Sequence, residues 1–133
     1  MRLDHATLRT RDLKGHRRFF ANVFDLRDGF RPAFDFPGHW LYADGEPVVH
    51  LIPARARTHD PVASAEGIDH VAFLRDDHDA FRRRLDDHGI PYSRMELPEI
   101  GERRVFLHAP GGMLIEVAFR DRGPTARIQE TTR

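Results

Sequence analysis

The sequence predicts an α+β protein built from two paired βαβββ modules. Two observations carry that prediction. The chain repeats itself, and each copy alternates in the same order between strand-like and helix-like hydrophobic patterns. At an offset of 65, Leu3-Asp4-His5 falls on Ile68-Asp69-His70, and Asp12 falls on Asp77. At an offset of 66, "HWLYADGEPVVHLI" falls on "VFLHAPGGMLIEVA", so that Trp40 meets Phe106, Gly45 meets Gly111, and His50 meets Glu116. A single duplication at so long a period fits two modules better than a solenoid.

The first module, about 2–52, opens with a strand over about 3–10. A helix follows over about 12–25, with Asp12 as N-cap and Leu13, Phe20, Val23 and Phe24 as its apolar stripe. Gly29 comes soon after it. Strands are expected near 30–35, 38–43 and 47–52, the last two joined by the turn residues of "ADGEP". The second module, about 67–119, has a strand over about 68–75. Its helix runs over about 77–88, with Ala80, Phe81 and Leu85 inward and Gly89 just beyond. Strands follow near 90–96, 102–108 and 112–119, with "APGG" as the matching turn. The polar segment 53–66 reads as a linker and 120–133 as a tail, giving one domain over 1–133.

Composition narrows the function. The chain has 133 residues, enough for one domain with its own core. Lys plus Arg number 21 and Asp plus Glu number 21, a balance that offers no electrostatic case for nucleic acid or an acidic membrane. There is no Cys, so disulfides, thiolate metal sites and a thiol nucleophile are excluded. No apolar run approaches the roughly 20 residues of a membrane span, and no targeting core opens the chain, so a cytoplasmic location is expected. Nine His is a high count for this length.

Alternation along each strand sorts the side chains onto two faces. Leu3, His5 and Thr7 share one face, as do Val48, His50 and Ile52. In the second module the sets are Ile68, His70 and Ala72, and Leu114, Glu116 and Ala118. The opposite faces are apolar enough to pack under helices. One ionisable residue therefore sits mid-strand on each inner face, at duplicated positions. Burying such groups without partners costs several kcal/mol, about 2–7 for a neutral polar group and more for a charge. A divalent metal held by His5, His50, His70 and Glu116 supplies a common reason; Fe, Mn, Ni, Co and Zn all accept such donors. A buried His–Glu hydrogen-bond cluster is the alternative.

The paired modules, "LDHATLRTRDLKGHRRFF", "IDHVAF" and "PGGMLIEV" resemble the vicinal oxygen chelate superfamily over about residues 2–120. That group includes glyoxalase I, bleomycin- and fosfomycin-resistance proteins, methylmalonyl-CoA epimerase and extradiol dioxygenases. The resemblance implies an open eight-stranded, barrel-like sheet with helices outside. It implies metal ligands on the first and last strands of each module, matching His5, His50, His70 and Glu116. In extradiol enzymes the shell would be His5, His70 and Glu116, with His50 as acid/base. In glyoxalases and epimerases the His50 position supplies a fourth ligand, usually Glu or Gln.

Two chemistries follow from the resemblance. A four-ligand ion suits a glyoxalase-like lyase or isomerase acting on a small substrate with adjacent oxygens, with His50 and Glu116 as catalytic candidates. A three-ligand ion suits an extradiol-type ring-cleaving dioxygenase with non-heme Fe(II). Extradiol enzymes usually carry a Tyr ten residues before the ligating Glu, and Phe106 stands there, so the lyase or isomerase is preferred. A drug- or metabolite-sequestering protein is a third reading. Trp40 and Phe106, with Tyr42 and His108 by alternation, are candidate substrate-pocket residues. For Arg103 and Arg104 a solvated strand edge is expected over contact with an anionic substrate. His16, His59, His78 and His88 are expected to face water. A homodimer is implied, with the modules paired within a chain or swapped between chains.

Overall fold

Among the described residues, short alternating runs punctuated by turn residues make eight strands, and two amphipathic stretches make the helices. The computed structural model describes residues 1–55, 66–110 and 112–120. In chain order the elements are β1 (Arg2–Thr10), α1 (Leu13–Phe24), β2 (Arg27–Gly29), β3 (His39–Ala43) and β4 (Glu46–Pro53). The second set is β5 (Gly67–Arg75), α2 (His78–Asp87), β6 (Ser93–Leu97), a 3-10 turn (Pro98–Ile100), β7 (Glu102–His108) and β8 (Leu114–Arg120). The predicted βαβββ order therefore appears twice. The proposed linker and tail fall mostly on residues 56–65 and 121–133, outside the described residues.

All eight strands join one mixed sheet in the order β2-β3-β4-β1-β5-β8-β7-β6. The two modules meet edge to edge where β1 runs antiparallel to β5, within one chain. β4 lies parallel to β1, and β8 lies parallel to β5. The sheet curls until Trp40 and Tyr42 of β3 pack on Leu97 and Ile100 near the far edge, with Phe30 and Phe34 against them. It stays open, because β2 and β6 end the order unpaired with one another.

Each helix covers the outer face of its own module. Leu13 and Phe20 of α1 pack on Leu26, Leu41 and Leu51. Phe81 and Leu85 of α2 pack with Val105, Val117 and Phe119. The α1 stripe is narrower than expected: Leu13 and Phe20 pack on the sheet, while Val23 and Phe24 are more than half exposed. Ala80 is likewise exposed, and Leu85 is the buried residue of α2.

Local signals explain the boundaries. The Asp12 carboxylate accepts from the Gly15 amide at 2.9 Å and starts α1. The strand expected near 30–35 instead forms at Arg27–Gly29. Asp25 takes a left-handed φ of 58° at the helix end and turns the chain four residues before Gly29. Pro32 and Pro37 then deny ladder donors to the segment that follows. The "ADGEP" hairpin closes through Asp44 and Gly45, both at positive φ (51° and 79°), as a two-residue primed turn requires.

Candidate metal centre

Strand register brings the inner-face polar residues into two adjacent rows. Thr7 pairs with His50 on one side and His70 on the other, and Trp40 pairs with His50. In the next row Ala72 pairs with both His5 and Glu116, and Glu116 pairs with Phe106. Ala72 is fully buried and ends at its Cβ, so His5 and Glu116 close over it. His5 Nε2 lies 3.1 Å from Glu116 Oε2, and His70 Nε2 lies 3.7 Å from Glu116 Oε1. Donor atoms of His5, His70 and Glu116 all fall within 4.8 Å of one another.

A second layer orients the imidazoles. His5 Nδ1 donates to Asp4 Oδ2 and His70 Nδ1 donates to Asp69 Oδ2, both at 2.8 Å. Those bonds leave each Nε2 facing the centre, an arrangement that metal-binding histidines use. The clamps cross between modules. Asp4 is held by Arg120 from β8, whereas Asp69 is held by Arg9 of β1 at 2.6 Å and Arg55 at 3.0 Å.

Electrostatics make the centre a place that attracts positive charge. Burial pulls both histidines down, but the Asp4 and Glu116 carboxylates leave His5 raised, and Asp69 and Glu116 raise His70 to about 9. Burial would push Glu116 up; the approach of His5 and His70, with the charge of Arg104, holds it well below the usual carboxylate range. The His70 hydrogen bond, working against burial, leads the depression of Asp69, and Arg9 and Arg55 add to it.

His50 is placed differently. Its ring stacks between His5, with centroids 3.6 Å apart, and Trp40, 4.1 Å away. Burial first, then the nearby His5 and Arg104 charges, push its pKa well below the usual imidazole value. It is not part of the three-residue donor group.

The donor set fits a divalent ion. Among the described residues, the buried side-chain polar atoms without a hydrogen-bond partner are His5 Nε2, His50 Nε2, Glu116 Oε2, and Nε and Nη2 of Arg31. The His5 and Glu116 atoms face one another without hydrogen-bond alignment, which leaves lone pairs for a cation. Two imidazoles and a carboxylate are a known facial set for divalent first-row metals.

A cleft of about 120 Å³ opens on this centre, and Trp40 and Phe106 border it together with Thr7, His50, His70 and Glu116. Tyr42 and His108 lie outside it. Tyr42 is core: its hydroxyl donates to the Phe30 carbonyl at 2.5 Å, and its ring packs with Leu97 and Ile100. His108 is exposed at the end of β7, where alternation carries it beyond the cleft.

Arg104 is not at a solvated edge. It is 5 % exposed, binds Glu102, approaches Glu116 Oε1 at 3.4 Å and lies over the Trp40 ring. Arg103 reaches His78 Nδ1 at 3.1 Å. His78 does not face water as expected, since its ring meets Phe119 edge-on. His16 is half-buried against Thr10, while His88 is exposed. His59 lies outside the described residues. Sequence reasoning missed Asp4, Asp69 and Arg31, gave Thr7 a face but no role, and misplaced Arg104; the repeated Asp-His pair was the available signal for Asp4 and Asp69.

Solved structures with this fold include methylmalonyl-CoA epimerases and a dioxygenase. A single-substitution variant of the Streptomyces coelicolor methylmalonyl-CoA epimerase, in complex with 2-nitronate-propionyl-CoA, is 22% identical, with a TM-score of 0.66, over 92% of this chain and 96% of that one. The Mycobacterium tuberculosis methylmalonyl-CoA epimerase is 20% identical, with a TM-score of 0.66, over 90% of this chain and 88% of that one. The 2,3-dioxygenase LapB from Pseudomonas sp. KL28 is 23% identical, with a TM-score of 0.70, over 90% of this chain but 40% of that one. No curated protein matches the chain. The model of the Glyoxalase/Bleomycin resistance protein/Dioxygenase superfamily matches residues 2–117, and with that match over most of its length the chain belongs to this superfamily.

Proposed function

We propose that the chain is a metal-dependent enzyme for a small substrate with two adjacent oxygens. In this reading His5, His70 and Glu116 hold a divalent ion and His50 accepts or returns a proton. The ion would supply Lewis acidity to the substrate oxygens. Asp4 and Asp69 occupy Nδ1 of His5 and His70 and so turn each Nε2 to the centre, where His70 Nε2 also meets the Thr7 hydroxyl at 3.1 Å, and Trp40 fixes the plane of the His50 ring. One observation carries the reading: three donor atoms lie within 4.8 Å, beside a buried imidazole whose Nε2 has no partner. A base within reach of a chelated substrate suits proton transfer next to a carbonyl. A lyase or isomerase is therefore the preferred reaction, and Phe106 supports it because a phenyl ring offers no hydrogen bond to a phenolate.

The test has two parts. Protein purified without chelator should carry one divalent ion per chain by elemental analysis. Metal-loaded protein should exchange the carbon-bound hydrogens of dihydroxyacetone in D₂O, read by NMR, and His50→Ala should lose that exchange while keeping its metal. Loss of the metal in His50→Ala would make His50 a fourth ligand.

A ring-cleaving dioxygenase is the second reading. A three-donor group without His50 leaves more open coordination positions than a four-ligand shell, enough for two substrate oxygens and O₂. Oxygen uptake by the Fe(II)-loaded protein with catechol would favour it.

A further inference from the structure

We propose that the substrate carries a carboxylate and that Arg31 receives it; this rests on the chelate reading above. Five buried polar atoms lack partners among the described residues. Three are on His5, His50 and Glu116, and two are Nε and Nη2 of Arg31. Arg31 borders the same cleft as His50, His70 and Glu116. Four of the five atoms, on His50, Glu116 and Arg31, thus belong to residues that border one cavity, and Arg31 adds a cation with unmet donors to it.

The two bare nitrogens are not an arbitrary pair. Nε and Nη2 form the side edge of a guanidinium, which matches the two oxygens of a carboxylate. Arg104, which borders the same cleft, shows that edge in use: its Nε and Nη2 contact Glu102 Oε2 at 3.2 and 2.9 Å. Arg31 presents the same edge with no acceptor on it. Buried donors left unmet are costly, more so on a charged group, and an acceptor from a ligand removes that cost.

The rest of Arg31 is held, so the guanidinium is fixed in place. Its guanidinium carbon lies 4.8 Å from the Phe34 ring centroid and 4.9 Å from that of Phe36. Nη1 donates to the Phe36 carbonyl at 3.0 Å. A Cβ on Gly38 would come within 2.9 Å of Nη2, so the bare backbone there leaves room for the guanidinium. Cation–π packing explains the faces and the carbonyl explains Nη1. Neither accounts for the empty edge. Phe36 is 43 % exposed and covers one face at the border of the cleft.

The test uses hydroxamates, which chelate through adjacent oxygens. Monohydroxamates of succinic, glutaric and adipic acid and their methyl esters are titrated by calorimetry into the Zn²⁺-loaded protein. At least one acid should bind tenfold or more tighter than its ester. Arg31→Met should shrink that preference to within twofold, with metal content and ester affinity unchanged. Arg31→Lys should keep part of it, and thermal unfolding checks that both variants fold. Equal binding of acid and ester by the wild type, or a preference that survives Arg31→Met, overturns the assignment of Arg31. Absence of binding by every acid and ester overturns the chelate reading, and the proposal with it.

Discussion

Glu102→Gln tests how firmly the centre is supported from behind. Glu102 is 2 % exposed. Its Oε2 takes Nε and Nη2 of Arg104, and its Oε1 takes Nε of Arg120 at 2.9 Å. Arg120 continues to Asp4, which holds His5, and Arg104 continues to Glu116. One carboxylate therefore stands behind two of the three proposed ligands. The amide keeps the shape but removes the charge, and it turns a donor toward a guanidinium. Breaking a buried pair from one side costs about 3–5 kcal/mol; the side chain of Arg120 is 17% exposed, so the lower end applies. Unfolding entropy of about 2.1 cal/mol/K per residue over 133 residues gives about 0.28 kcal/mol/K. A loss of about 3 kcal/mol then lowers Tm by about 11 °C. Calorimetry on the metal-free protein measures this without ligand linkage. A drop of less than about 3 °C would show that the network is replaceable and that the arginines find other partners.

Three further outcomes are expected. Divalent metal at about 100 times its Kd should add about 2.7 kcal/mol, or about 10 °C in Tm, and His70→Ala should abolish that gain in a thermal melt. Ala72→Leu should cost about 1–3 kcal/mol by overpacking and, by parting His5 from Glu116, should abolish metal uptake in an equilibrium dialysis experiment; normal uptake would mean the two do not share an ion. Gly29→Ala places a Cβ 2.6 Å from the Tyr42 ring and should cost about 1–3 kcal/mol in urea unfolding, with an unchanged midpoint contradicting the packing described.

The repeat made the centre legible because duplication and alternation act together. Equivalent positions on β1 and β5 meet where those strands pair, so two inner-face histidines approach one another across a single seam. The supporting layer was hidden by the same rule. Alternation places Asp4 and His5 on opposite faces, yet the register shifts between Leu3 and His5, and the Asp4 carboxylate returns to His5 Nδ1. Irregularity of that kind leaves no mark on a pattern of period two. Arg104 was misjudged for a different reason. "ERRVF" reads as a charged edge residue by residue, but Glu102 and Arg104 share a face, and their charges neutralise one another where neither would be tolerated alone. Arg31 lies in a proline-bounded irregular segment where no periodicity operates. Its position depends on rings from Phe34 and Phe36 and on the missing Cβ of Gly38. The residues proposed to chelate sit on strands and can be read from spacing, whereas the residue proposed to choose the substrate sits on the irregular segment between β2 and β3, where relatives on one scaffold are free to differ.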